Sequence, residues 1–597
     1  MNRHAWLWAT ALMTALVISA MPAAAATINV FSPINADETW TNDNTYILTE
    51  PVYVTMGATL TIQEGTVIRG EGESAPAAND PGALIITRDS KIKALGTPKN
   101  PIVFTDLFDD NIGPNPGTPP YDSAPNVVGL TGQWGGVILL SRGWVSNNTA
   151  GGPDANREVQ IEGLVAAGGL GLYGNCAAGA LYSGDLRYDA MNCNEYDSGG
   201  MRYVSIRYGG FNLSAANEIN GLTLGGIGRP TQLEYIEVFQ NQDDSVECFG
   251  GAPQMKRMVF FGPGDDGLDY DEGYSGKAQF VFLAQSLPGD KGGEHDGGNS
   301  PDGSRPFAIP TFYNVTSIGV GPGAGSTNTA LNLRDNAGGR YYNSLFADWG
   351  GAAIQIEGVS CSGGDCSVGP VGPNTSAERA NTAYNPAGEC LSADGSTFRG
   401  SSCSSDFDCA PASATCPGCQ VGDYCKFGFY GPPDSTYQLE LTNNEWYCVQ
   451  RQEDFCFGGA VDDDGTSGCG DIDTGELEYT GDAGKTGADV PGGLFNLNRY
   501  ESCADPLPIR QLTRFGGPAT PVAQVDPRPA AGSKLSCATP GNCRAVPNDG
   551  FFESAGFQGA FDGMNWAEGW TNMSRLGYFP PKPQVPVVAD IVVDTLW

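Results

Sequence analysis

Two acidic segments that follow one another along the chain carry the residues with the clearest chemical potential. They read NQDDSVECFGG from residue 241 and GDDGLDYDEG from residue 264. The pair Asp243 and Asp244 in the first segment is followed 22 residues later by the pair Asp265 and Asp266 in the second. If the two segments are successive repeats, their like charges lie side by side and repel each other unless a cation separates them.

Eight carboxylates form the predicted cation site. In a stack of coils about 4.8 Å apart, the paired aspartates of one segment lie beside those of the next, and Glu247 lies beside Asp269. Two carboxylates at that distance repel by roughly 1 kcal/mol in water and by about 3.5 kcal/mol at an effective dielectric of 20. Oxygen ligands at this density suit Ca²⁺ better than Zn²⁺, which favours His or Cys. Solvated acidic turns are the alternative. The predicted Ca²⁺ ligands are Asp243, Asp244, Glu247, Asp265, Asp266, Asp269, Asp271 and Glu272.

The same acidic region offers residues for acid–base catalysis. Asp244 and Asp266 are a candidate carboxylate pair for glycoside hydrolysis, in which one acid protonates the leaving oxygen and the other activates water. His295, the only histidine after the first 26 residues, lies between Glu294 and Asp296 in the sequence. These neighbours predict a protonated ring that acts as an acid or a base. An ordinary loop histidine is the alternative, because no partner residue is evident.

Arginines in the strand repeats are candidates for a lyase reaction. Arg257 is the candidate base, and Arg207 and Arg334 occupy similar strands. A bound cation acidifies the proton of a coordinated substrate, and an arginine beside it is then placed to remove that proton. A serine-hydrolase site is not expected, because the chain has no G-x-S-x-G element.

Short strand-like runs must position these residues. Runs such as TVIRG, GGVILLSRG, RYVSIRYGG, LEYIEVFQ, RMVFFGPG and KAQFVFLAQ are rich in Val, Ile, Tyr and Phe, and turn residues adjoin them. No segment after the first 26 residues has a sustained 3.6-residue apolar period. The sequence therefore predicts an all-β chain.

The spacing of the runs predicts the kind of β fold. Asn220, Asp244 and Asp266 occupy equivalent positions at intervals of 24 and 22 residues, and Leu331 and Ile354 are 23 residues apart. Repeats of this length, each with short strands separated by Gly or Asn turns, are typical of the stacked coils of a parallel β-solenoid. A β-sandwich or a propeller is the alternative, but its strands would not keep one motif at one phase.

The charge balance limits the partners. The chain has 68 acidic and 32 basic residues and a formal net charge of −36. Such a surface repels nucleic acid and anionic membranes, because phosphate binding needs clustered Lys and Arg. Small cations are the favoured partners.

The first 26 residues predict export. They contain Arg3, then an apolar run, then small residues suited to cleavage near Ala26, which together are typical of a signal peptide. No later stretch has 18 consecutive apolar residues, so no transmembrane segment is expected in the mature chain. We predict a secreted protein that is periplasmic, extracellular or attached to a cell surface.

Seventeen cysteines in an exported chain predict disulfides and at least one unpaired thiol. Cys248 is the predicted buried free thiol, because it occupies an apolar strand position. The stretch 390–425 has six cysteines and few aliphatic residues, which indicates an insertion held together by disulfides. Its Cys416-x-x-Cys419 pair has neither a second CxxC nor a nearby histidine for zinc. The predicted local clamps are Cys176 with Cys193, Cys361 with Cys366 and Cys537 with Cys543.

These features divide the chain into four parts. The predicted parts are a signal peptide (1–26), a parallel β-helix (27–360), late coils with the Cys-rich insertion (361–548) and an aromatic, Gly-rich cap (549–597). The last part is rich in Phe, Trp and Gly and is expected to cover the final coil.

Most of residues 39–360 and the last 50 residues resemble the pectin-lyase-like superfamily of right-handed parallel β-helix proteins. More narrowly, they resemble an uncharacterised family of secreted bacterial β-helix proteins. The segments that carry the resemblance include TWTNDNTYILTEPVYVTMGATLTIQEGTVIRG, ALIITRDSKIKALGTPKNPIVFTD, GQWGGVILL, NEINGLTLGGIG, the two acidic segments and GAFDGMNWAEGWTN. The resemblance implies an all-β, right-handed parallel β-helix, to which the Cys-rich stretch is an insertion.

The resemblance also bears on chemistry. Polygalacturonase-like members carry an N-x-D element, to which Asn241-x-Asp243 is similar, and an acidic pair, to which Asp265-Asp266 is similar. Their G-H-G element is not matched around His295. Pectate-lyase-like members use Ca²⁺ with an arginine base. A fold alone does not fix a function, and this one also serves adhesins and surface-layer proteins.

Two functional hypotheses follow. The first is a secreted, acidic β-helix surface protein that binds Ca²⁺ and a polysaccharide or another cell-surface component. The alternative is a calcium-dependent polysaccharide lyase or glycoside hydrolase that acts in a groove at residues 241–296.

Overall fold

The structure is a computed structural model of the 597-residue chain. It describes residues 26–72, 81–109, 131–147, 158–164, 169–175, 193–214, 217–285, 289–298, 306–321, 328–351, 353–356, 439–449, 498–501, 503–517 and 519–580, together with short strands between residues 360 and 426. The predicted signal peptide and most of the Cys-rich insertion lie outside these residues.

Short β-strands make up nearly all of the regular structure. The strands, in chain order, are β1 (Ala26–Val30), β2 (Glu38–Trp40), β3 (Asn44–Leu48), β4 (Pro51–Val54), β5 (Thr59–Ile62), β6 (Val67–Gly70), β7 (Ala83–Ile86), β8 (Lys91–Leu95), β9 (Ile102–Asp106), β10 (Val137–Leu140), β11 (Glu158–Gln160), β12 (Leu172–Gly174), β13 (Gly199–Arg207), β14 (Asn212–Ser214), β15 (Asn217–Glu218), β16 (Leu222–Gly225), β17 (Gln232–Phe239), β18 (Val246–Phe249), β19 (Gln254–Phe261) and β20 (Leu268–Asp271). They continue with β21 (Lys277–Ala284), β22 (Glu294–Asp296), β23 (Thr311–Ile318), β24 (Leu331–Arg334), β25 (Gly339–Tyr342), β26 (Leu345–Ala347), β27 (Ile354–Ile356), β28 (Ser360–Ser362), β29 (Asp365–Ser367), β30 (Gly388–Leu391), β31 (Phe398–Cys403), β32 (Tyr424–Lys426), β33 (Leu439–Thr442), β34 (Glu445–Tyr447), β35 (Arg499–Glu501), β36 (Ile509–Arg514) and β37 (Val522–Pro529). The described helices are a 3₁₀ turn (Cys193–Glu195) and α1 (Asn572–Arg575).

Parallel pairing stacks the coils into a β-helix. One sheet contains nine strands in the order β27, β24, β22, β20, β18, β16, β10, β7 and β4, and neighbouring strands within it are parallel. A larger sheet takes the remaining strand of each coil, for example β13, β17, β19, β21 and β23. Inward-facing Leu, Ile, Val, Phe and Tyr side chains from both sheets form one continuous core. The predicted all-β, parallel β-helix fold is confirmed.

In the coils from β13 to β34, the large sheet bends once per coil at a residue with left-handed backbone. In the first coils two strands form its two halves, and β8 and β9 pair with the first and second half of β13. From β13 onward the bend lies within one strand or between two adjoining strands. This conformation is uncommon for residues other than glycine, although Asn tolerates it best. The bend residues are Tyr203, Tyr235, Arg257, Phe280, Asn314, Asn343 and Asn443, with φ between 49° and 60°. Each coil therefore has three faces.

The predicted register is confirmed where coils follow one another without insertions. Leu222 pairs with Val246 and Val246 with Leu268, so Asn220, Asp244 and Asp266 share one phase. Leu331 pairs with Ile354, as their 23-residue spacing predicts. Elsewhere loops lengthen the repeat, since Val137 pairs with Leu222 across 85 residues. The short period therefore marks the part of the solenoid with the tightest turns.

The C-terminal segment packs along the side of the large sheet. Trp570 lies edge-on to Tyr203, with 5.5 Å between ring centroids, and the backbone N–H of Asn572 donates to Glu237 at 2.7 Å. Farther along, Asp549 forms an ion pair with Lys277 at 2.5 Å. These contacts place the described part of the predicted cap along the flank of several successive coils, and not over the final coil alone.

The cysteine predictions are partly tested by the described residues. Cys248 is a buried free thiol, as predicted, and Cys537 bonds to Cys543, as predicted. A disulfide between Cys448 and Cys503 was not predicted, and it links two successive late coils just after the paired strands β34 and β35. The remaining predicted clamps involve Cys176, Cys361 and Cys366, whose side chains lie outside the described part of the chain. Disulfides fit an extracellular protein.

In the described part of the chain, no helix is long and apolar enough to cross a membrane.

Candidate metal centre

Two columns of side chains run along the outer face of the nine-stranded sheet and change from apolar to acidic along its length. Strand residues that alternate with them, such as Cys248 and Tyr270, point into the core, so the column side chains point outward. The first column is Tyr53, Ile85, Ile138, Thr223, Glu247, Asp269, Glu294 and Asn332. The second is Leu140, Gly225, Phe249, Asp271, Asp296 and Arg334.

A third column lies in the turns that precede these strands. The backbone N–H of Asp266 donates to Asp244 Oδ1 at 2.8 Å, and that of Lys291 donates to Asp266 Oδ1 at 2.6 Å. Each aspartate thus holds the turn of the next coil through a hydrogen bond to its backbone. The four residues Asn220, Asp244, Asp266 and Lys291 form the column, with Asp243, Asp265 and Asp290 beside it.

Carboxylate oxygens from these columns converge in three overlapping sets. In each set one oxygen from every member lies within 4.8 Å of the others. The sets are Asp244, Glu247 and Asp269; Asp243, Asp244 and Asp265; and Asp265, Asp266 and Asp290. Such oxygen-only clusters are suited to a hard cation such as Ca²⁺.

Two polar atoms, one within the first of these sets and one beside it, lack hydrogen-bond partners. Asp269 Oδ1 is buried and has no hydrogen-bond partner among the described residues. Asn220 is 2% exposed, and its Nδ2 donates to Glu247 at 2.5 Å. Asn220 Oδ1 has no hydrogen-bond partner among the described residues. A buried oxygen without a partner is costly, and a cation coordinated by this set would satisfy Asp269 Oδ1.

Two basic side chains, Lys291 and Arg334, neutralise the carboxylates at the other end of the columns. Lys291 Nζ contacts Asp290 Oδ2 at 2.6 Å and Glu294 Oε1 at 2.9 Å. Arg334 contacts Glu294 at 2.8 Å and Asp296 at 2.6 Å. Burial opposes the charged form of each base, but the neighbouring carboxylates outweigh it and raise the pKa of both.

In the described part of the chain, no lysine or arginine forms an ion pair with Asp244, Glu247 or Asp269, although Arg334 attracts Asp269 from a greater distance. Arg334 is the one basic residue that lines the groove in the described part of the chain, and its ion pairs are with Glu294 and Asp296, one coil beyond Asp269. Burial, together with the neighbouring carboxylates, raises the pKa of all three acids well above their ordinary values. This is the electrostatic signature of a site that requires either protons or a cation.

The acids line one groove with a volume of about 860 Å³. Its second wall is the antiparallel hairpin of β11 and β12. Tyr173 on this hairpin donates its hydroxyl proton to Glu272, which also accepts from Asn147. Burial raises the pKa of Glu272 to about 7 and, with Arg334 opposing it, raises that of Asp296 to about 6. The acidic residues of the groove are Glu158, Glu162, Asp243, Asp244, Glu247, Asp265, Asp266, Asp269, Asp271, Glu272, Glu294 and Asp296.

The prediction of a protonated His295 is wrong. The side chain is fully buried and stacks on Tyr270, with ring centroids 4.1 Å apart. Its Nε2 contacts the Tyr341 hydroxyl at 2.6 Å. Burial lowers the pKa of His295 to about 3, so the ring is neutral at physiological pH. The carboxylates of Glu294 and Asp296 do not keep the ring protonated. Side chains alternate along the strand, so these two point outward while His295 points into the core.

The prediction that Arg257 adjoins the acidic cluster is also wrong. Arg257 lies at the bend of the large sheet, where it pairs with Glu553 at 3.1 Å and stacks over Tyr235 and Phe280 at 5.3 and 5.0 Å. Arg207 is buried beside Asp109 on the same sheet. Arg334 is therefore the member of the predicted trio that reaches the groove.

Eight predicted ligands come together in the groove, and several further residues were not predicted as site residues. Asp243, Asp244, Glu247, Asp265, Asp266, Asp269, Asp271 and Glu272 all line it. The unpredicted acids Glu294 and Asp296 continue the columns by one coil, and DKGGEHD, one coil beyond the second acidic segment, carried that signal. Glu158, Glu162 and Tyr173 come from a hairpin far away in the sequence. The repeat of 22 to 24 residues does not include them, so it could not predict their place in the groove.

The fold and the groove define a parallel β-helix protein with an acidic external cleft. Residues 32–117 and 156–368 match the family model described as "Pectate-lyase like beta helix domain". The chain belongs to this family. No curated protein and no solved structure matches the chain. The family fits a surface protein or a protein related to polysaccharides.

Proposed function

We propose that the groove binds Ca²⁺ and, through the bound ion, an acidic polysaccharide or a similar component of a cell surface. The observation that carries the proposal is the uneven neutralisation of the acidic columns. Lys291 and Arg334 compensate one end, while Asp244, Glu247 and Asp269 at the other end form no ion pair with a basic residue in the described part of the chain. The unpartnered oxygens of Asp269 and Asn220 lie at the same end.

The charge of the groove determines which ligand fits it. Twelve acidic residues repel a polyanion, and a neutral sugar would leave them uncompensated. A bound divalent ion keeps free coordination positions for carboxylates of a ligand, since Ca²⁺ accepts six to eight oxygens. We therefore favour a ligand with carboxylate groups, and binding that depends on the ion.

The test is a binding titration of the full chain with a linear polyuronate in Ca²⁺ buffer and in chelator. Binding is expected only with Ca²⁺. Asp269→Asn is expected to weaken it about tenfold or more, because the substitution removes a negative charge that coordinates the ion. Glu50→Gln, which changes an exposed acid outside the groove, is the matched control. Equal binding in chelator would overturn the proposal.

Cleavage of the bound chain is the second candidate function. It is favoured by the carboxyl groups of Glu272 and Asp296, whose pKa values of about 7 and about 6 are suited to proton transfer near neutral pH. Glycoside hydrolysis fits these groups better than a lyase reaction does, because Arg334 is held protonated by two carboxylates. New reducing ends that disappear in Glu272→Gln would support hydrolysis, and unsaturated uronate products would support a lyase.

We also propose that the chain is secreted after removal of residues 1–26. Support comes from the sequence of that segment and from the disulfides of the mature part. N-terminal sequencing of the protein from culture supernatant tests this proposal.

A further inference from the structure

The groove begins abruptly where the hairpin of β11 and β12 lies across the outer face of the sheet. Before this point the outer columns are apolar, and Ile85, Ile138 and Leu140 pack against Val159 and Tyr173 of the hairpin. Tyr173 also lies against Phe249, with 6.1 Å between ring centroids. The first column becomes acidic at Glu247, on the same strand as Phe249, and the second becomes acidic at Asp271 in the next coil. The hairpin therefore forms an end wall and not only a side wall.

Three polar anchors hold the hairpin in this position. Arg88 Nη1 donates to Glu158 Oε2 at 2.5 Å, and Arg142 Nη1 donates to the carbonyl of Asn175 at 2.9 Å. The Tyr173 hydroxyl donates to Glu272. Gly225 fits directly under Tyr173, since a Cβ there would meet the ring at 2.9 Å. No space for a ligand chain remains between hairpin and sheet at this coil.

The opposite end of the groove is lined by partly exposed side chains. The Arg334 side chain is 46% exposed there, although both of its carboxylate partners are largely covered. Phe249 and Arg334 are the first and last of four successive positions in the second column. The three intervals between them correspond to about 14 Å at the usual strand spacing. Among the described residues, a chain-like ligand thus meets a wall at one end and the partly exposed Arg334 at the other.

We propose that the groove receives the terminus of an acidic polysaccharide chain, with the terminal sugar against the hairpin, and does not bind the interior of a chain. This inference rests on the proposed ligand class. The ligand enters past Arg334 and stops at Tyr173 and Phe249, so that one protein molecule occupies each chain end of the correct polarity. The Ca²⁺ position at Asp244, Glu247 and Asp269 lies next to the wall, where it would contact the last sugars.

The experiment measures how many protein molecules bind each polyuronate chain. Linear polyuronates of three defined lengths are mixed with excess full-length protein in Ca²⁺ buffer, and the complexes are sized by sedimentation velocity. One protein per chain at every length is expected. A number that rises in proportion to chain length would overturn the proposal, because it requires internal binding.

End-labelled probes give an independent measurement. A short polyuronate carries a bulky fluorophore on its reducing or its non-reducing end. The label on the inserted end should weaken binding about tenfold or more through steric clash, while the other label changes it less than about twofold. Equal effects of the two labels would overturn the inference. If no polyuronate binds at any length, the proposed ligand fails and this inference fails with it, while calcium titration still tests the ion site.

Discussion

Asp244 and Asp266 are joined by a hydrogen bond between coils: the backbone N–H of Asp266 donates to the Asp244 carboxylate at 2.8 Å. The second aspartate repeats this contact on Lys291. The acidic register is therefore fixed by backbone contacts that use the carboxylates themselves. Removing either acid changes a turn as well as a charge, so Asp269, which makes no such bond, is the better position for testing ion binding.

The stability of the calcium-free protein should fall as pH rises. The pKa of Glu272 is about 7 in the folded chain against an ordinary 4.5. Between these values the folded chain retains a proton that the unfolded chain has lost, so the free energy of unfolding decreases with pH. This group alone contributes about 3 kcal/mol over that range. Urea unfolding at pH 4.5, 6 and 7.5 in chelator measures the slope.

Saturating Ca²⁺ should flatten this pH dependence, because the ion stabilises the charged carboxylates. Glu272→Gln should reduce the slope without the ion, while the other acids with raised pKa keep part of it. An increase of stability with pH in chelator would contradict the electrostatic description of the groove.

Lys291→Met should strengthen calcium binding. The substitution removes a positive charge that competes with the ion for Asp266 and Glu294, and we expect about tenfold tighter binding. The same change should lower the melting temperature in chelator, because two partly buried acids lose their partner. Lys93→Met, on the large sheet outside the groove, is the control. Weaker calcium binding by Lys291→Met would contradict the assignment of Lys291 as an internal counter-ion.

The sequence predicts the fold and the acidic register well, because both depend on local periodicity. The spacing of Asp244 and Asp266 is enough to place them side by side. The position of Arg257 could not be predicted, since each coil has three faces and spacing alone does not say on which face a strand lies. The contribution of Tyr173 depends on a hairpin inserted some 100 residues before Glu272. The pKa of His295 depends on burial, which outweighs the effect of its sequence neighbours.

His295 should remain neutral throughout the stable pH range. Its pKa of about 3 follows from burial between aromatic rings. Nitrogen chemical shifts of the ring, measured from pH 8 to pH 5, should show no titration. His295→Phe should preserve polyuronate binding, because the side chain does not face the groove. A ring that titrates near pH 6.5 would contradict its position in the core.

Arg257→Ala should destabilise the protein without changing calcium affinity. The substitution removes the ion pair with Glu553 and the stacking on Tyr235 and Phe280. The expected loss is about 1 to 2 kcal/mol. A double-mutant cycle with Glu553→Ala separates the ion pair from the ring contacts. A large fall in calcium affinity would instead link this bend to the groove.

Isothermal titration of Ca²⁺ into the chelator-treated protein tests the central claim most directly. We expect saturable binding with a Kd of about 10⁻⁴ to 10⁻³ M, as in extracellular calcium modules. Asp269→Asn should weaken it about tenfold or more, and Glu50→Gln should leave it unchanged. The absence of binding, or equal binding by Asp269→Asn, would contradict the claim that Asp244, Glu247 and Asp269 hold a cation.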